Sequence, residues 1–238
     1  GSGITLGVAT PTLTTTGNTV FNAPVTLTGN RTVSSTSGDI TFQQTVDGNS
    51  AGTRSLTVNT TGATRFNGVI GGTNALSAVT TNANGTTTLA ADVTTSGAQT
   101  YNDAVTLAAN VTTTSTGGSA ITFASTLDGD APGTRALTVT TAGNKVFSGV
   151  FGVGTTNSLA SLSVAAGGTT TLSSDVTTSG AQSYGNNVSL TGHVTATSTG
   201  GADITFTGTV NGSTANTRNL VVNTSAATTF ASTVGPTT

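Results

Sequence analysis

The sequence lacks most of the residues on which binding and catalysis depend. Its 238 residues include no Cys, Met, Trp or Glu, one Lys (Lys145) and one His (His193), and charged residues make up only 6%. Without Cys, neither a disulfide framework nor a thiolate metal site is possible. A net charge of −2 without any basic run offers nothing to nucleic acid or an anionic membrane. Because no apolar run approaches the roughly 20 residues of a membrane helix, we also expect no membrane insertion.

What the sequence does contain favours strands. Thr dominates the chain, β-branched residues are abundant and good helix formers are scarce. Disordered chains are depleted in Val, Ile and Leu and usually carry high charge. Here hydrophobic residues make up 34% and recur at regular places, so we expect a folded all-β protein.

The chain repeats itself. The phrase "VTTSGAQTY" at 93–101 returns as "VTTSGAQSY" at 176–184, and Arg54, Arg135 and Arg218 stand 81 and 83 positions apart. These offsets divide the chain into repeat 1 (4–85), repeat 2 (86–168) and an incomplete repeat 3 (169–238). We expect them to form one continuous domain, because no linker separates the copies.

Within each copy a shorter pattern recurs. Val105-Thr106-Leu107, Ile121-Thr122-Phe123 and Leu137-Thr138-Val139 are evenly spaced triplets of the form apolar–Thr–apolar. Because a strand has a period of two, the outer residues face inward and Thr faces solvent. Turn residues separate the triplets, which predicts a right-handed parallel β-helix, or β-solenoid.

Two questions about this architecture stay open at the level of sequence. Each repeat would contain four coils of about 21 residues, or five of about 16–17 if the triplets stack directly. The alternative fold is a string of Ig-like β-sandwiches of about 80 residues each. Against it stand the absence of Trp and of a linker between copies.

Two long stretches carry a resemblance to a known group. They are "TTTLAADVTTSGAQTYNDAVTLAANVTTTSTGG" and "RALTVTTAGNKVFSGVFGVGTTNSLASLSVAAGG". In style and composition the chain resembles the very large repetitive surface proteins of Gram-negative bacteria, of the filamentous-haemagglutinin and autotransporter-passenger type. The resemblance spans nearly the whole chain and includes no catalytic motif. It implies an exported, repetitive β-helical stalk or fibre.

One charged motif recurs and is the best place to look for chemistry. Each copy has an acid or amide before Gly and an Arg seven residues later; the residues are Asp47 and Arg54, Asp128 and Arg135, and Asn211 and Arg218. A hydrolase or lyase on a β-helix needs clustered carboxylates or basic groups in a groove, whereas here the acids change to Asn and Ser while Arg stays. We therefore predict a structural loop, no catalytic residue and no cofactor.

A second interpretation of this motif is a calcium site. Asp128 and Asp130 form an Asp-x-Asp pair, and calcium is bound by six to eight oxygens. The EF-hand pattern and the glycine–aspartate nonapeptide of calcium β-rolls are both missing.

Two surface features would permit binding. Phe21, Tyr101 and Tyr184 occupy equivalent positions and form either core residues or a sugar-binding stripe. The middle residues of the triplets are Thr26, Thr41, Thr57, Thr106, Thr122 and Thr138. A flat array of such residues on stacked coils is the way in which ice-binding solenoids work.

The sequence thus favours a non-enzymatic structural role. We expect a fibre- or stalk-forming segment of an exported bacterial surface protein, located outside the cell and acting in adhesion or as extracellular (biofilm) matrix. Its partner would be a second copy joined end to end, or further repeats of the same chain. The alternative is a binding module, either for a host or cell-surface glycan or receptor, or for ice.

Overall fold

The strands of this chain stack as a β-solenoid of three faces. A computed structural model describes residues 2–7, 11–152 and 157–235. Within these ranges there are 29 strands of three to six residues, no helix, and only parallel strand pairs. The predicted all-β parallel solenoid is confirmed, and the Ig-like alternative, which needs antiparallel sheets, is wrong. The handedness of the coil stays a prediction.

Each face is a ladder that runs the length of the solenoid. Face 1 comprises β1 (Ile4–Leu6), β4 (Val25–Leu27), β7 (Val46–Gly48), β12 (Val93–Thr95), β15 (Val111–Ser115), β18 (Ala136–Thr141), β20 (Ser161–Val164), β23 (Gln182–Tyr184), β26 (Ile204–Phe206) and β29 (Thr228–Phe230). Face 2 comprises β2 (Thr12–Thr15), β5 (Arg31–Ser35), β8 (Ser55–Thr60), β10 (Ala78–Thr81), β13 (Gln99–Tyr101), β16 (Ile121–Phe123), β19 (Lys145–Phe147), β21 (Thr169–Leu172), β24 (Asn187–Leu190) and β27 (Val210–Gly212). Face 3 comprises β3 (Thr19–Phe21), β6 (Ile40–Phe42), β9 (Ala63–Phe66), β11 (Thr86–Leu89), β14 (Ala104–Leu107), β17 (Leu127–Gly129), β22 (Val176–Thr178), β25 (Val194–Ser198) and β28 (Leu220–Asn223).

Single bridging residues complete the ladders where a strand is missing. Ile70 joins β7 to β12 on Face 1, Phe151 joins β17 to β22 on Face 3, and Val234 pairs with β27 on Face 2. The ten strands of Face 2 therefore correspond to about ten turns.

The period-two alternation builds the core. In β16, Ile121 and Phe123 are buried while Thr122 between them is partly exposed, as the triplet pattern predicted. The same alternation in most other strands gives one continuous core of Val, Leu, Ile and aromatic side chains, although in β6 the middle residue Thr41 is buried as well. Burial of these side chains is the main stabilising term, while the ladders satisfy the backbone groups of the strands.

Both expectations for the number of coils per repeat are wrong. From β13 to the equivalent β23 there are ten further strands and the Phe151 bridge, eleven sides in all, which is three turns and two sides. The same count, with Ile70 as the bridge, separates β3 from β13. Neighbouring triplets do not stack either, because β14, β16 and β18 belong to three different faces.

Because a repeat is three turns and two sides long, equivalent strands of successive repeats lie one face apart around the axis. Every repeat has one ladder of three stacked rings: Phe21, Phe42 and Phe66 on Face 3; Tyr101, Phe123 and Phe147 on Face 2; Tyr184, Phe206 and Phe230 on Face 1. Neighbouring ring centroids in these ladders lie 4.7 to 5.8 Å apart. Equivalent residues of successive repeats thus never lie on the same face.

Candidate functional site

The recurring charged motif forms an equivalent loop in each repeat. Corner loop 1 (47–54) joins Faces 1 and 2, corner loop 2 (128–135) joins Faces 3 and 1, and corner loop 3 (211–218) joins Faces 2 and 3. The three loops therefore project from three different corners. Corner loops 1 and 2 lie within long coils of the solenoid. The residues stacked at the start and end of these coils are Arg31 and Leu56 for loop 1, and Val111 and Leu137 for loop 2.

The shared backbone of the corner loops explains which residues recur. A left-handed residue with φ between +57° and +71° stands two positions before each Arg: Gly52, Gly133 or Asn216. The hydroxyl of the residue that follows it donates to a carbonyl three residues earlier, as Thr134 does to Ala131 at 2.9 Å. The aliphatic part of the Arg side chain packs on the glycine that opens the loop. In corner loop 2, a Cβ added to Gly129 would lie 3.4 Å from the Arg135 Cγ.

The acidic residues of corner loops 1 and 2 form different contacts. In corner loop 2, Arg135 donates two hydrogen bonds to Asp130, and this pairing holds the pKa of the Asp130 carboxyl below its ordinary value. In corner loop 1, Arg54 donates instead to Asn49 (2.8 Å), and Asp47 accepts the backbone N–H groups of Thr73 and Asn74. Asp128 likewise has an interaction partner. The contacts of Asp130, Arg54 and Asp47 tie a loop to itself or to the next coil.

His193 also has a backbone partner. Its Nδ1 accepts the N–H of Asn219 at 3.3 Å, where Asn30 and Asn110 accept the N–H groups of Ser55 and Ala136 in the other repeats. The imidazole therefore replaces an amide oxygen as a hydrogen-bond acceptor beside the corner loop.

The repeated phrase at 93–101 and 176–184 forms a buried polar corner. The Gln99 side-chain amide donates to the Val93 carbonyl (3.1 Å), the Thr95 hydroxyl (3.2 Å) and the Thr114 carbonyl (2.9 Å). Tyr101 in turn donates its hydroxyl to Gln99 Oε1 at 3.0 Å. Gln182 and Tyr184 reproduce this corner, with corresponding distances of 3.2 Å, 3.2 Å, 2.9 Å and 3.0 Å.

The aromatic residues of this corner are core residues. Tyr101 and Tyr184 are fully buried and Phe21 is 6% exposed, so the core interpretation is confirmed and the sugar-binding stripe is wrong. Burial raises the pKa of both tyrosines well above its ordinary value. Sequence reasoning missed the role of Gln99, although its presence in both copies of a repeated phrase was a usable signal.

The proposed Thr array is distributed over all three faces. Thr57 and Thr122 lie on Face 2, Thr26 and Thr138 on Face 1, and Thr41 and Thr106 on Face 3. A different set does align: partners in the Face 2 ladder are, in order, Thr12, Thr32, Thr57, Thr80, Thr100 and Thr122. We call these six residues the Face 2 threonine column; none is buried.

Two buried polar junctions occupy equivalent places in successive repeats. Junction 1 consists of Thr64, Thr81, Thr87 and Asp103, and Junction 2 of Lys145, Val164, Thr170 and Asn186. In Junction 1, Asp103 Oδ1 accepts the hydroxyls of Thr81 (3.0 Å) and Thr87 (2.7 Å). Burial raises the pKa of the Asp103 carboxyl, and the two hydroxyls partly oppose that shift.

Junction 2 contains a buried ammonium, at the position equivalent to Thr64, and no carboxylate. Lys145 is completely buried and its Nζ donates to the carbonyls of Gly167 (2.5 Å) and Ala166 (3.4 Å). Asn186 donates to the same Gly167 carbonyl at 2.9 Å, and its Oδ1 accepts the Thr170 hydroxyl. Burial lowers the pKa of the Lys145 ammonium.

The described part of the chain contains no metal-binding cluster of titratable side chains. Within it, no three His, Cys, Asp or Glu side chains converge as a metal site. No helix long and apolar enough to span a membrane occurs in the described ranges. Comparison with known proteins found no matching family model, curated protein or solved structure.

Proposed function

We propose that this chain is a rod-forming, non-enzymatic segment of an exported bacterial surface protein, serving as a stalk or fibre in adhesion or extracellular matrix. The observation that carries the proposal is the continuity of the three faces. Parallel ladders on each face connect the first described coil to the last, so the backbone hydrogen bonds run along the axis. A body of this kind resists extension, and adding repeats lengthens it without a new design.

The last described coil supports this proposal because it leaves apolar side chains exposed beside corner loop 3. Corner loops 1 and 2 are each covered by the next coil: Gly52 donates to the Ala75 carbonyl and Gly133 to that of Ser158, both at 2.7 Å. Corner loop 3 instead borders a cavity of about 190 Å³ lined by Leu190, Val210, Arg218, Leu220 and Val234.

In the earlier repeats the segments that cover corner loops 1 and 2 continue into Leu76 and Leu159. Both are completely buried, and they stand 83 positions apart. The first coil of a second copy stacked on this surface would cover Val234, which is 56% exposed.

The exposed surface supports a role outside the cell. Outward positions carry mainly Thr and Ser, and charge is sparse, so the rod stays hydrated without a strong field of either sign. The bacterial cell surface as location follows from the resemblance to large repetitive surface proteins and is part of the proposal.

The test is the shape of the purified material in electron micrographs. We expect rods that join end to end into longer filaments at high protein concentration. Val234→Lys, which places a charge on the open end, should shorten them, while Thr106→Lys on the side of the rod should not. Compact particles at every concentration would contradict the proposal.

The Face 2 threonine column favours one alternative function, the binding of ice. Six threonines follow one another at the strand spacing of about 4.8 Å. Thermal hysteresis that is lost in a Thr80→Tyr and Thr100→Tyr double variant, but retained in Thr106→Tyr on Face 3, would support it. Absence of thermal hysteresis at high concentration would exclude it.

A further inference from the structure

The two junctions contain buried groups of opposite charge. Junction 1 has the carboxylate of Asp103, 3% exposed, and no cationic side chain; Junction 2 has the Lys145 ammonium and no carboxylate. Neither charge has an ion-pair partner among the residues that the structure describes. An isolated buried charge is costly, so each junction needs a compensating group. In Junction 2 the carbonyls around Lys145 Nζ provide it.

Junction 1 contains two buried oxygens without a partner. Asp103 Oδ2 and Thr64 Oγ1 form no hydrogen bond within the described ranges, although both residues are almost completely buried. A Cβ at Gly85 would lie 3.5 Å from Asp103 Oδ2, so this oxygen faces the turn at 82–85. Buried polar atoms without partners are rare in folded proteins and point to an additional bound group.

Junction 2 shows which group fits. Its turn at 166–167 presents two carbonyls to an ammonium, and the left-handed Gly167 (φ +95°) corresponds to the left-handed Asn84 (φ +77°) in Junction 1. By this equivalence the turn at 83–84, whose Ala83 carbonyl accepts the Asn82 side-chain amide, stands opposite the Asp103 carboxylate where Junction 2 has the Asn186 amide. Carbonyl oxygens opposite a carboxylate oxygen repel one another unless a cation or a proton donor lies between them.

We propose that Junction 1 binds a monovalent metal cation, Na⁺ or K⁺, between Asp103 Oδ2, Thr64 Oγ1 and the carbonyls of the 83–84 turn. The cation takes the place that the Lys145 ammonium occupies in Junction 2. The Thr64 side chain ends at its γ atoms, whereas that of Lys145 continues through Cδ and Cε to Nζ, so a separate ion has to supply the positive charge in Junction 1. A single carboxylate with neutral oxygens matches one positive charge, whereas dedicated Ca²⁺ sites have more carboxylates and more oxygen ligands.

The test compares thermal unfolding midpoints at pH 8 in chloride salts of Na⁺, K⁺ and tetramethylammonium at equal ionic strength. A cation bound only by the folded state raises the midpoint by mass action. We expect Na⁺ or K⁺ to raise it by about 2–4 °C over the large organic cation, which the site excludes by size. Crystals soaked in thallous salt should show an anomalous peak at Junction 1 and none at Junction 2.

Three variants provide matched controls from the chain itself. Asp103→Asn copies the Asn186 amide, and Thr64→Lys supplies an internal ammonium; each should abolish the dependence on the cation. Asn186→Asp places a carboxylate opposite Lys145, so it should bind no thallium. A midpoint that depends on ionic strength alone, or that responds to pH but to no metal ion, would overturn the proposal, because water or a proton would then satisfy the carboxylate. A response to Ca²⁺ alone would overturn it as well.

Discussion

At the scale of single residues, polar side chains inside the solenoid hold the corners in place. Gln99 connects the strand before its corner to the strand after it and to the next coil, all within the core. A neutral amide can do this because each buried donor and acceptor finds a partner. The repeated phrase at 93–101 and 176–184 therefore specifies buried hydrogen bonds as well as a turn.

Replacement of Gln99 by Ala should be costly for this reason. We expect a loss of about 1–3 kcal/mol in unfolding free energy, since the Tyr101 hydroxyl and two carbonyls are left without their partner. Urea denaturation measures the loss. Gln182→Ala removes the same contacts and should cost the same within about 1 kcal/mol; markedly unequal losses would show that the two corners are not equivalent in energy.

Asp39 should contribute a small pH dependence. The Ala63 N–H (2.8 Å) and then the Arg65 guanidinium (2.5 Å) lower the pKa of its carboxyl below the ordinary 3.8. A lowered pKa stabilises the folded state above pH 3.8, and this stability is lost as the pH falls through the folded-state value. Because both side chains are over one third exposed, the effect should stay below about 1 kcal/mol.

The measurement is the urea midpoint at pH 6 and at pH 2.5 for the natural chain and for two variants. Asp39→Asn, which cannot titrate, should reduce the loss on acidification. Arg65→Gln should reduce it only partly, because the Ala63 N–H remains. Equal acid losses in the natural chain and Asp39→Asn would contradict the assignment.

At the scale of strands, the sequence predicted the inward and outward faces correctly but not the stacking. A period of two places Ile121 and Phe123 in the core, and short strands such as β16 obey that period locally. Which strands stack depends on turn length, and this varies: Val93 pairs with Thr113 across a short turn, whereas Val111 pairs with Leu137 across a longer one. The triplets are evenly spaced in the sequence, yet each lies two faces further around the solenoid than the triplet before it.

The same reason explains what sequence reasoning missed at Junction 1. Thr81 and Thr87 meet Asp103 from the preceding coil, so no local motif joins the three residues. The change from Asp103 to Asn186, opposite a change from Thr64 to Lys145, was visible between repeats. These two positions become neighbours only because the coils stack on each other.

The central ring of an aromatic ladder should contribute far more stability than the terminal ring. Phe206 is completely buried between Tyr184 and Phe230, while Phe230 is 39% exposed. We expect Phe206→Ala to cost about 3–5 kcal/mol and Phe230→Ala less than half of that, as measured by urea denaturation. Equal losses would indicate that Phe230 is covered in solution, as it would be in an end-to-end assembly.

At the scale of the whole molecule, the repeat rather than the turn is the unit that can be removed. Deletion of 86–168 joins Gly85 to Thr169, whose neighbours match those of Thr86, and it removes three turns and two sides. We expect a folded rod shorter by about 18 Å, from a rise of about 4.8 Å per turn. Small-angle X-ray scattering measures the change in length.

Deletion of 86–157 provides the control. It removes fewer residues but joins Gly85 to Ser158, where no repeat equivalence exists, so inward positions of the following strand meet the wrong neighbours. This variant should lose strand signal in circular dichroism at temperatures where the first deletion remains folded. Equal stability of the two deletions would show that the offset between repeat and turn is unimportant.

The one-face advance of each repeat has a mechanical consequence. A rod whose aromatic ladders all lay along one side would have one stiff edge and would bow away from it under tension or flow. Here the ladders occupy Face 3, Face 2 and Face 1 in turn, so three repeats distribute them evenly around the axis. A rod built from such repeats would therefore have no preferred plane of flexure and would remain straight however many repeats are joined.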